Sequence, residues 1–325
     1  MAYSVVVRGT VYRAMCGNGN SLNLNSSGLK SVPEFVSRFP NLSVLLLCYN
    51  SISDLPTHFQ SLCHLTELNL GNNALKEFPV VLSHLGSLRK LYLYRNKIDV
   101  VSPDAIGHLR NLVVLNLNHN NIQRLPPEIG RLRNLQHFTM LDNKLEELPD
   151  EVGCLKKLCT INLTFNNLSR LPQQLYSCKN LIQLYVARNR LTKLPEGITA
   201  LVKLRVLDVA GNMLSIFPIE FHLLHLTELY CEENWLIKFI PVPLPPQPAL
   251  LSLKVKLFLT AERPVVQQQL LYRVQGPLPH FMGGVCAIYQ SEEGHEHEEL
   301  SHYSSPVCPV FIQMLQRTRT LLLCR

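Results

Sequence analysis

Histidines and glutamates crowd into one short segment near the carboxyl end of the chain, Ser291–His302. The segment holds three histidines and five glutamates, and Cys286 and Cys308 lie on either side of it. Imidazole, carboxylate and thiolate groups are the ligands that zinc takes from proteins. Their spacing matches no closed structural zinc site, and the sequence has no Cys-x-x-Cys pair. A solvated acidic loop is the preferred interpretation, and a metal-dependent module or enzyme centred on Cys286–Cys308 is the alternative.

The rest of the sequence offers little catalytic chemistry. It has no Gly-x-Gly-x-x-Gly, no Gly-x-x-x-x-Gly-Lys-Ser/Thr and no Gly-x-Ser-x-Gly motif. Hydrophobic residues make up 46% and charged residues 17% of the 325 residues, which excludes a disordered acidic chain. No run approaches the roughly 20 apolar residues of a membrane span. We expect a cytoplasmic protein that is not an enzyme, takes no cofactor or metal, and binds no nucleic acid.

A repeat of about 23 residues dominates the sequence. Its signature is Leu-x-Leu-x-x-Asn, and the steps between successive asparagines from Asn50 onward are 23, 23, 24, 23, 23, 23, 23 and 22 residues. A weaker first copy begins at Leu22, with Ser27 in place of the asparagine. We count ten repeats over residues 20–240. The other nine copies begin at Leu45, Leu68, Leu91, Leu115, Phe138, Ile161, Leu184, Leu207 and Leu229.

Each position of the repeat has a physical role. The alternating Leu-x-Leu predicts a short strand with one buried face, and the asparagine amide can satisfy backbone groups of the neighbouring coil. A Leu-Pro or Phe-Pro pair follows, where proline suits the first position of a helical turn. The one 24-residue step adds a residue near Ser102, on the outer side. No unit can bury its leucines alone, so stacked coils must share one core.

The sequence therefore predicts an α/β fold, a leucine-rich repeat solenoid. This is a curved right-handed superhelix with a parallel sheet on the concave side and short helical or 3₁₀ turns on the convex side. We expect an N-terminal cap or disordered segment over residues 1–19 and the solenoid over 20–240. A proline-rich linker and C-terminal cap are expected over 241–271, and a poorly ordered tail over 272–325.

The repeat unit resembles the intracellular leucine-rich repeats of the Ras-binding scaffold and Ras-suppressor group. The likeness lies in the Leu-Pro-x-x-Ile-x-x-Leu-x-x-Leu-x-x-Leu-x-Leu-x-x-Asn pattern of the 23-residue unit. The resemblance implies a non-enzymatic scaffold in small-GTPase or phosphatase signalling. We expect a monomer that binds another protein of unknown identity.

The concave face is the predicted binding surface. Its exposed strand positions include tyrosines and arginines, the residue types that most often anchor interfaces. Stacking between neighbouring repeats with no ligand is the alternative, and Cys48 is a further position that the alternation places on this face. The candidate partner-binding residues are Tyr92, Tyr94, Arg95, Phe165, Tyr185, Arg188, Tyr230 and Glu232.

A second set of basic residues lies after the outer turns or just before the strands. Stacked coils would align them into a stripe that could attract an acidic partner. Acidic residues such as Glu128 begin the same turns, and a helix dipole favours acid at its start and base at its end. We prefer the dipole interpretation. The stripe comprises Arg89, Arg110, Arg133, Lys156, Lys157, Lys179, Lys203 and Arg205.

Overall fold

The repeat produces one sheet of ten three-residue strands. In this computed structural model, the structure describes residues 20–39 and 41–236. All ten strands are parallel and follow the order of the chain. The strands are β1 (Ser21–Asn23), β2 (Val44–Leu46), β3 (Glu67–Asn69), β4 (Lys90–Tyr92), β5 (Val114–Asn116), β6 (His137–Thr139), β7 (Thr160–Asn162), β8 (Gln183–Tyr185), β9 (Val206–Asp208) and β10 (Glu228–Tyr230).

The register of the sheet follows the repeat. Leu22 pairs with Leu45, Leu45 with Leu68, and Leu68 with Leu91, so each central residue lies beside its counterpart one repeat away. These residues are fully buried and belong to one hydrophobic cluster that runs through the described part of the chain. The predicted solenoid with a parallel sheet is confirmed. Residues 1–19, 237–240, 241–271 and 272–325, for which we predicted caps, a solenoid end, a linker and a tail, lie outside the described residues.

Short helical turns connect the strands on the other side of the coil. Among the described residues, eight are 3₁₀ helices of three to five residues and one is an α-helix, α1 (Pro103–His108). The 3₁₀ helices are η1 (Glu34–Arg38), η2 (Thr57–Ser61), η3 (Val80–His84), η4 (Pro127–Arg131), η5 (Asp150–Cys154), η6 (Gln173–Ser177), η7 (Ile198–Ala200) and η8 (Ile219–Leu223).

Most of the prolines lie one position earlier than we expected, at the N-cap, and Pro195 lies earlier still because Gly197 is the N-cap of its turn. Pro56 and Pro149 are N-cap residues in an extended conformation, not the first helical residues, and their carbonyls accept the first 3₁₀ hydrogen bond. An extended N-cap suits the fixed φ of proline. In the 24-residue repeat Ser102 takes the N-cap, and its hydroxyl accepts a hydrogen bond from the Ala105 N–H at 3.4 Å. The extra residue thus gives the longer α1.

A ladder of asparagine side chains joins the coils directly after the strands. Asn166 is 6% exposed. Its Nδ2 donates to the carbonyls of Leu163 in its own repeat at 3.0 Å and Met140 in the preceding repeat at 2.8 Å. Its Oδ1 accepts from the Leu145 N–H at 2.9 Å. The same pattern recurs from Asn73 to Asn234, so each amide satisfies backbone groups that the strands leave unpaired.

We expect Asn166→Ala to lower the free energy of unfolding by about 2–4 kcal/mol, because it leaves several buried backbone groups without partners. Urea denaturation followed by circular dichroism measures the change. Asn167→Ala, at the part-buried next position, is the matched control and should change stability by less than about 0.5 kcal/mol. Equal effects of the two substitutions would contradict the role of the ladder.

Candidate functional site on the concave face

A column of residues in the left-handed backbone conformation runs along the rim of the concave face. In each of the ten repeats the residue just before the ladder position, which is Ser27 in the first repeat and asparagine in the others, has a φ between 50° and 62°. Only one of the ten is glycine, Gly211. The predicted binding residues Arg95, Phe165 and Arg188 all occupy this column and are exposed. Sequence reasoning missed this backbone feature, because more than half of the column carries residue types, such as arginine, tyrosine and phenylalanine, that do not signal positive φ.

Tyr94 crosses from the fourth repeat to the second. A Cβ atom on Gly71, in the third repeat, would overlap the Tyr94 ring, so the ring lies directly over that glycine. The Tyr94 phenol lies beside the side chains of Cys48 and Asn69. Burial raises the pKa of Tyr94 and that of the Cys48 thiol. Cys48 is buried, so our expectation that it is exposed was wrong; the alternation does not reveal the tyrosine that covers it.

A recess opens beside this tyrosine. It has a volume of about 340 Å³ and is lined by polar and aromatic side chains from the second, fourth and fifth repeats. His119 Nδ1 lies 2.8 Å from Asp142 Oδ2, which fixes the imidazole at one wall. The recess therefore offers hydrogen-bonding groups of both kinds next to ring surfaces. The lining residues are Tyr49, Tyr94, Arg95, Asn116, Asn118 and His119.

Arg188 makes a similar crossing at the other end of the face. Its Nη2 lies 2.9 Å from Glu233 Oε2, two repeats away, and its guanidinium lies 5.7 Å from the centre of the Phe165 ring in the preceding repeat. Gly211 stands between Arg188 and Glu233, and a Cβ there would lie 3.2 Å from Arg188 Cγ. A glycine in the intervening repeat thus lets a long side chain span three repeats, as at Tyr94.

Acidic and tyrosine side chains share the last three strands. Tyr230 Oη donates to Glu228 Oε2 at 2.9 Å. Burial, and then the neighbouring Glu232 carboxylate, raise the pKa of Asp208, although the Ala210 N–H that bonds its carboxylate acts in the opposite direction. Burial and the carboxylates of Glu228 and Asp208 raise the pKa of Tyr185. This end of the face therefore carries concentrated negative charge.

The structure divides the predicted residues into two groups. Tyr92, Tyr94 and Arg95 belong to the fourth repeat, and Tyr94 and Arg95 line the recess. The others lie in the seventh to tenth repeats around the Arg188 crossing and the acidic strands. Between the groups the face is polar, with Asn116 and Asn162 on strands β5 and β7. This second group comprises Phe165, Tyr185, Arg188, Tyr230 and Glu232.

Metal-binding clusters and helices that could span a membrane are both absent from the described residues. No cluster of three or more potential metal ligands occurs within residues 20–39 and 41–236. The predicted alternative centred on Cys286–Cys308 lies outside this range. Over the same ranges, the structure contains no helix with the length and apolar character needed to cross a bilayer. The six cysteines described by the structure are free thiols.

Comparison with known proteins gives the same repeat. The model of the family described as leucine rich repeat matches residues 20–75, 40–98, 86–145, 110–168 and 156–214. These spans overlap and together cover more than half of the chain.

Curated relatives share only part of their length with this chain. It is 35% identical over 108 residues to leucine-rich repeat-containing G-protein coupled receptor 5 of Rattus norvegicus, covering 33% of the chain and 12% of the receptor. It is 35% identical over 113 residues to leucine-rich repeat-containing protein 58 of Xenopus tropicalis, covering 34% of the chain and 32% of that protein. The matched region is thus less than two thirds of either relative.

Solved structures match a larger share. The leucine-rich repeat protein LIC12759 of Leptospira interrogans superposes with a TM-score of 0.56 at 29% identity, over 66% of this chain and 60% of that one. The plant peptide hormone receptor RGFR1 in complex with RGF2 superposes with a TM-score of 0.57 at 28% identity, over 63% of this chain and 34% of that one. Both therefore support the fold over about two thirds of the chain.

We expect Gly71→Ala to destabilise the protein by about 1–3 kcal/mol, because the new methyl group displaces the Tyr94 ring. Chemical denaturation of the single and double variants measures this. In a Tyr94→Ala background the same substitution should cost less than about 0.5 kcal/mol. Gly86→Ala is the matched control, because a Cβ there meets no atom within 4 Å. Equal costs with and without Tyr94 would contradict the crossing.

We expect the buried cysteines to resist alkylation in the folded protein. Burial raises the pKa of Cys178 to about 11 and that of Cys231 to about 12. At about pH 8 iodoacetamide, which attacks thiolates, should modify the exposed Cys63 and Cys154 first, and Cys178 and Cys231 only after denaturation. Peptide mass spectrometry reads this out. Because folding raises the pKa of these two thiols, the free energy of unfolding should fall as the pH rises from the ordinary thiol pKa toward the folded-state values. Labelling of all four cysteines at one rate would contradict the assignment.

Proposed function

Because the chain belongs to the leucine-rich repeat family, whose repeats are typical of protein–protein interaction domains, we propose that it is a non-enzymatic scaffold that binds another protein on its concave face. The observation that carries this proposal is the pair of crossings at Tyr94 and Arg188, which hold aromatic and cationic side chains in place before any partner arrives. Side chains that are already ordered lose little entropy on binding. Tyrosine and arginine are also the residues most often found at the energetic centre of interfaces.

The chemistry of the face supports a partner of complementary charge. The partner would present basic groups to Asp208, Glu228 and Glu232, and hydrogen-bonding groups to the recess at Tyr94 and Arg95. A cation beside Asp208 would stabilise its charged carboxylate, whose pKa is raised mainly by burial and further by the Glu232 carboxylate. The fourth and tenth strands lie six strand spacings apart, so one partner would extend over about 29 Å to reach both groups.

The cellular setting is a proposal from resemblance. We place the chain with the intracellular Ras-suppressor-like proteins, in small-GTPase or phosphatase-type signalling, as a cytoplasmic monomer. The ninth and tenth repeats also resemble leucine-rich repeat-containing protein 69, from Leu207 to Asn212, at Phe217-Pro218 and from Tyr230 to Glu232. The complex of the peptide hormone receptor RGFR1 with RGF2 supports partner binding by a related solenoid, although it identifies no partner for this chain.

The triple variant Tyr92→Ala, Arg95→Ala, Tyr185→Ala tests the concave face. Affinity purification should recover proteins with the wild-type chain. The amount of these proteins recovered with the variant should fall by at least about tenfold, which corresponds to about 1.4 kcal/mol of binding free energy. The matched control, Gln123→Ala, Gln173→Ala, Arg190→Ala, changes three exposed positions off the concave strands and should keep the same proteins. Titration calorimetry with each recovered protein then gives its affinity. An unchanged set of proteins on a folded concave variant would overturn the proposal.

A further inference from the structure

One lateral edge of the solenoid carries positive charge alone. The edge is formed by the six segments that lead from the outer turns into strands β4 to β9, residues 84–89, 108–113, 131–136, 154–159, 177–182 and 200–205. These segments contain nine lysines and arginines and no aspartate or glutamate. All nine are exposed. We call them the basic edge: Arg89, Arg110, Arg131, Arg133, Lys156, Lys157, Lys179, Lys203 and Arg205.

The basic edge has no counter-charge in the described residues. None of the nine lies within 4.0 Å of a carboxylate there. The opposite edge is different, because acids and bases alternate on it. There Arg124 lies 3.7 Å from Glu146, and Arg170 lies 3.8 Å from Glu147. The imbalance therefore belongs to one side of the coil.

The helix dipole does not account for this charge. Apart from Arg131, the nine residues lie beyond the helical turns; Arg110, for example, follows the C-cap Leu109 of α1. The turns themselves have at most six residues, so their dipoles are short. Our preferred interpretation of the stripe thus has little support in the structure.

Side-chain hydrogen bonds hold the basic edge in register. Asn134 Nδ2 donates to the Arg110 carbonyl at 3.1 Å, and Lys157 Nζ donates to Asn134 Oδ1 at 2.8 Å. Asn180 and Lys203 repeat the arrangement, with Lys203 Nζ at 2.7 Å from Asn180 Oδ1. Neighbouring positive charges therefore recur at about the strand spacing of 4.8 Å. Such a row attracts anions strongly.

We propose that the basic edge docks the chain's own acidic segment, Ser291–His302. This segment has five glutamates and no lysine or arginine, so its charge complements the edge. Fifty-four residues separate it from Leu236. At about 3.3 Å per extended residue they can reach along the whole edge, which is about 24 Å long. A tethered segment also has a high effective concentration, which favours it over a free anion of equal charge.

Carbodiimide cross-linking of the full-length chain tests the docking, because it joins only carboxylates and amines in contact. We expect cross-links from Glu292–Glu299 to lysines of the basic edge, Lys156, Lys157, Lys179 or Lys203, and few to Lys144 or Lys193 on the opposite edge. Their yield should fall at least fivefold between about 50 mM and 500 mM salt, since the interaction is electrostatic. Cross-links spread equally over both edges, or insensitive to salt, would overturn the proposal.

Two sets of arginine substitutions sharpen the test. Arg110→Gln, Arg131→Gln and Arg133→Gln remove charge from the edge but keep its reactive lysines, and should lower the cross-link yield at least threefold. Arg124→Gln, Arg170→Gln and Arg190→Gln on the opposite edge are the matched control and should leave the yield unchanged. Thermal melts check that both variants fold. Equal yields in the two variants would refute docking on this edge.

Two further measurements test whether the chain's own acidic segment, and not that of a second copy, occupies the basic edge. In a mixture of light and heavy isotope-labelled chains, cross-links should stay within one chain; cross-links between chains alone would mean that a second copy supplies the acid. Replacing the five glutamates by glutamine should expose the edge and increase binding to phosphatidylserine/phosphatidylcholine vesicles at least threefold. Equal vesicle binding by the wild type and this variant would show that the segment does not cover the edge.

Discussion

The asparagine ladder is the interaction on which the rest of the structure depends. Strands of three residues pair only briefly, and the chain must then turn away while it is still inside the core. The buried amide of each ladder asparagine takes over where strand pairing stops, and it bonds backbone groups in two repeats at once. This makes the interval between repeats nearly invariant, because a shift of one residue would misplace every amide. The single longer repeat keeps its ladder bonds and takes up its extra residue in the outer turn.

Two glycines show how a regular scaffold supports an irregular surface. Gly71 and Gly211 remove a side chain from one repeat, and a neighbour fills the space and reaches the repeat beyond. Each crossing couples three coils on the concave side. The face therefore combines a periodic backbone with two local arrangements that occur once each. Its two ends consequently differ in chemistry, with a polar recess at one and clustered acid at the other.

Most of the fold could be predicted because it repeats. The spacing of Leu, Asn and Pro determined the strands, the core and the place of the insertion at Ser102. The crossings could not be predicted, because the direction of Tyr94 depends on a missing side chain at position 71, 23 residues away. The burial of Cys48 has the same origin. Nor does the identity of Phe165 or Arg188 reveal a left-handed backbone, which recurs at the same place in every repeat whatever the residue type. The split of the binding residues into two groups follows from these local contacts.

The left-handed column limits which amino acids this surface can use. A residue held at positive φ costs about 1 kcal/mol when it carries a Cβ, and more when that Cβ is branched. The ten positions hold Ser, Tyr, Asn, Arg, His, Asp, Phe, Arg, Gly and Glu, with no valine, isoleucine, threonine or proline. A new binding specificity along this rim must therefore use side chains that are not branched at Cβ. The backbone conformation thus restricts which amino acids these positions accept, and relatives that bind other partners should vary here only among residues that are not branched at Cβ.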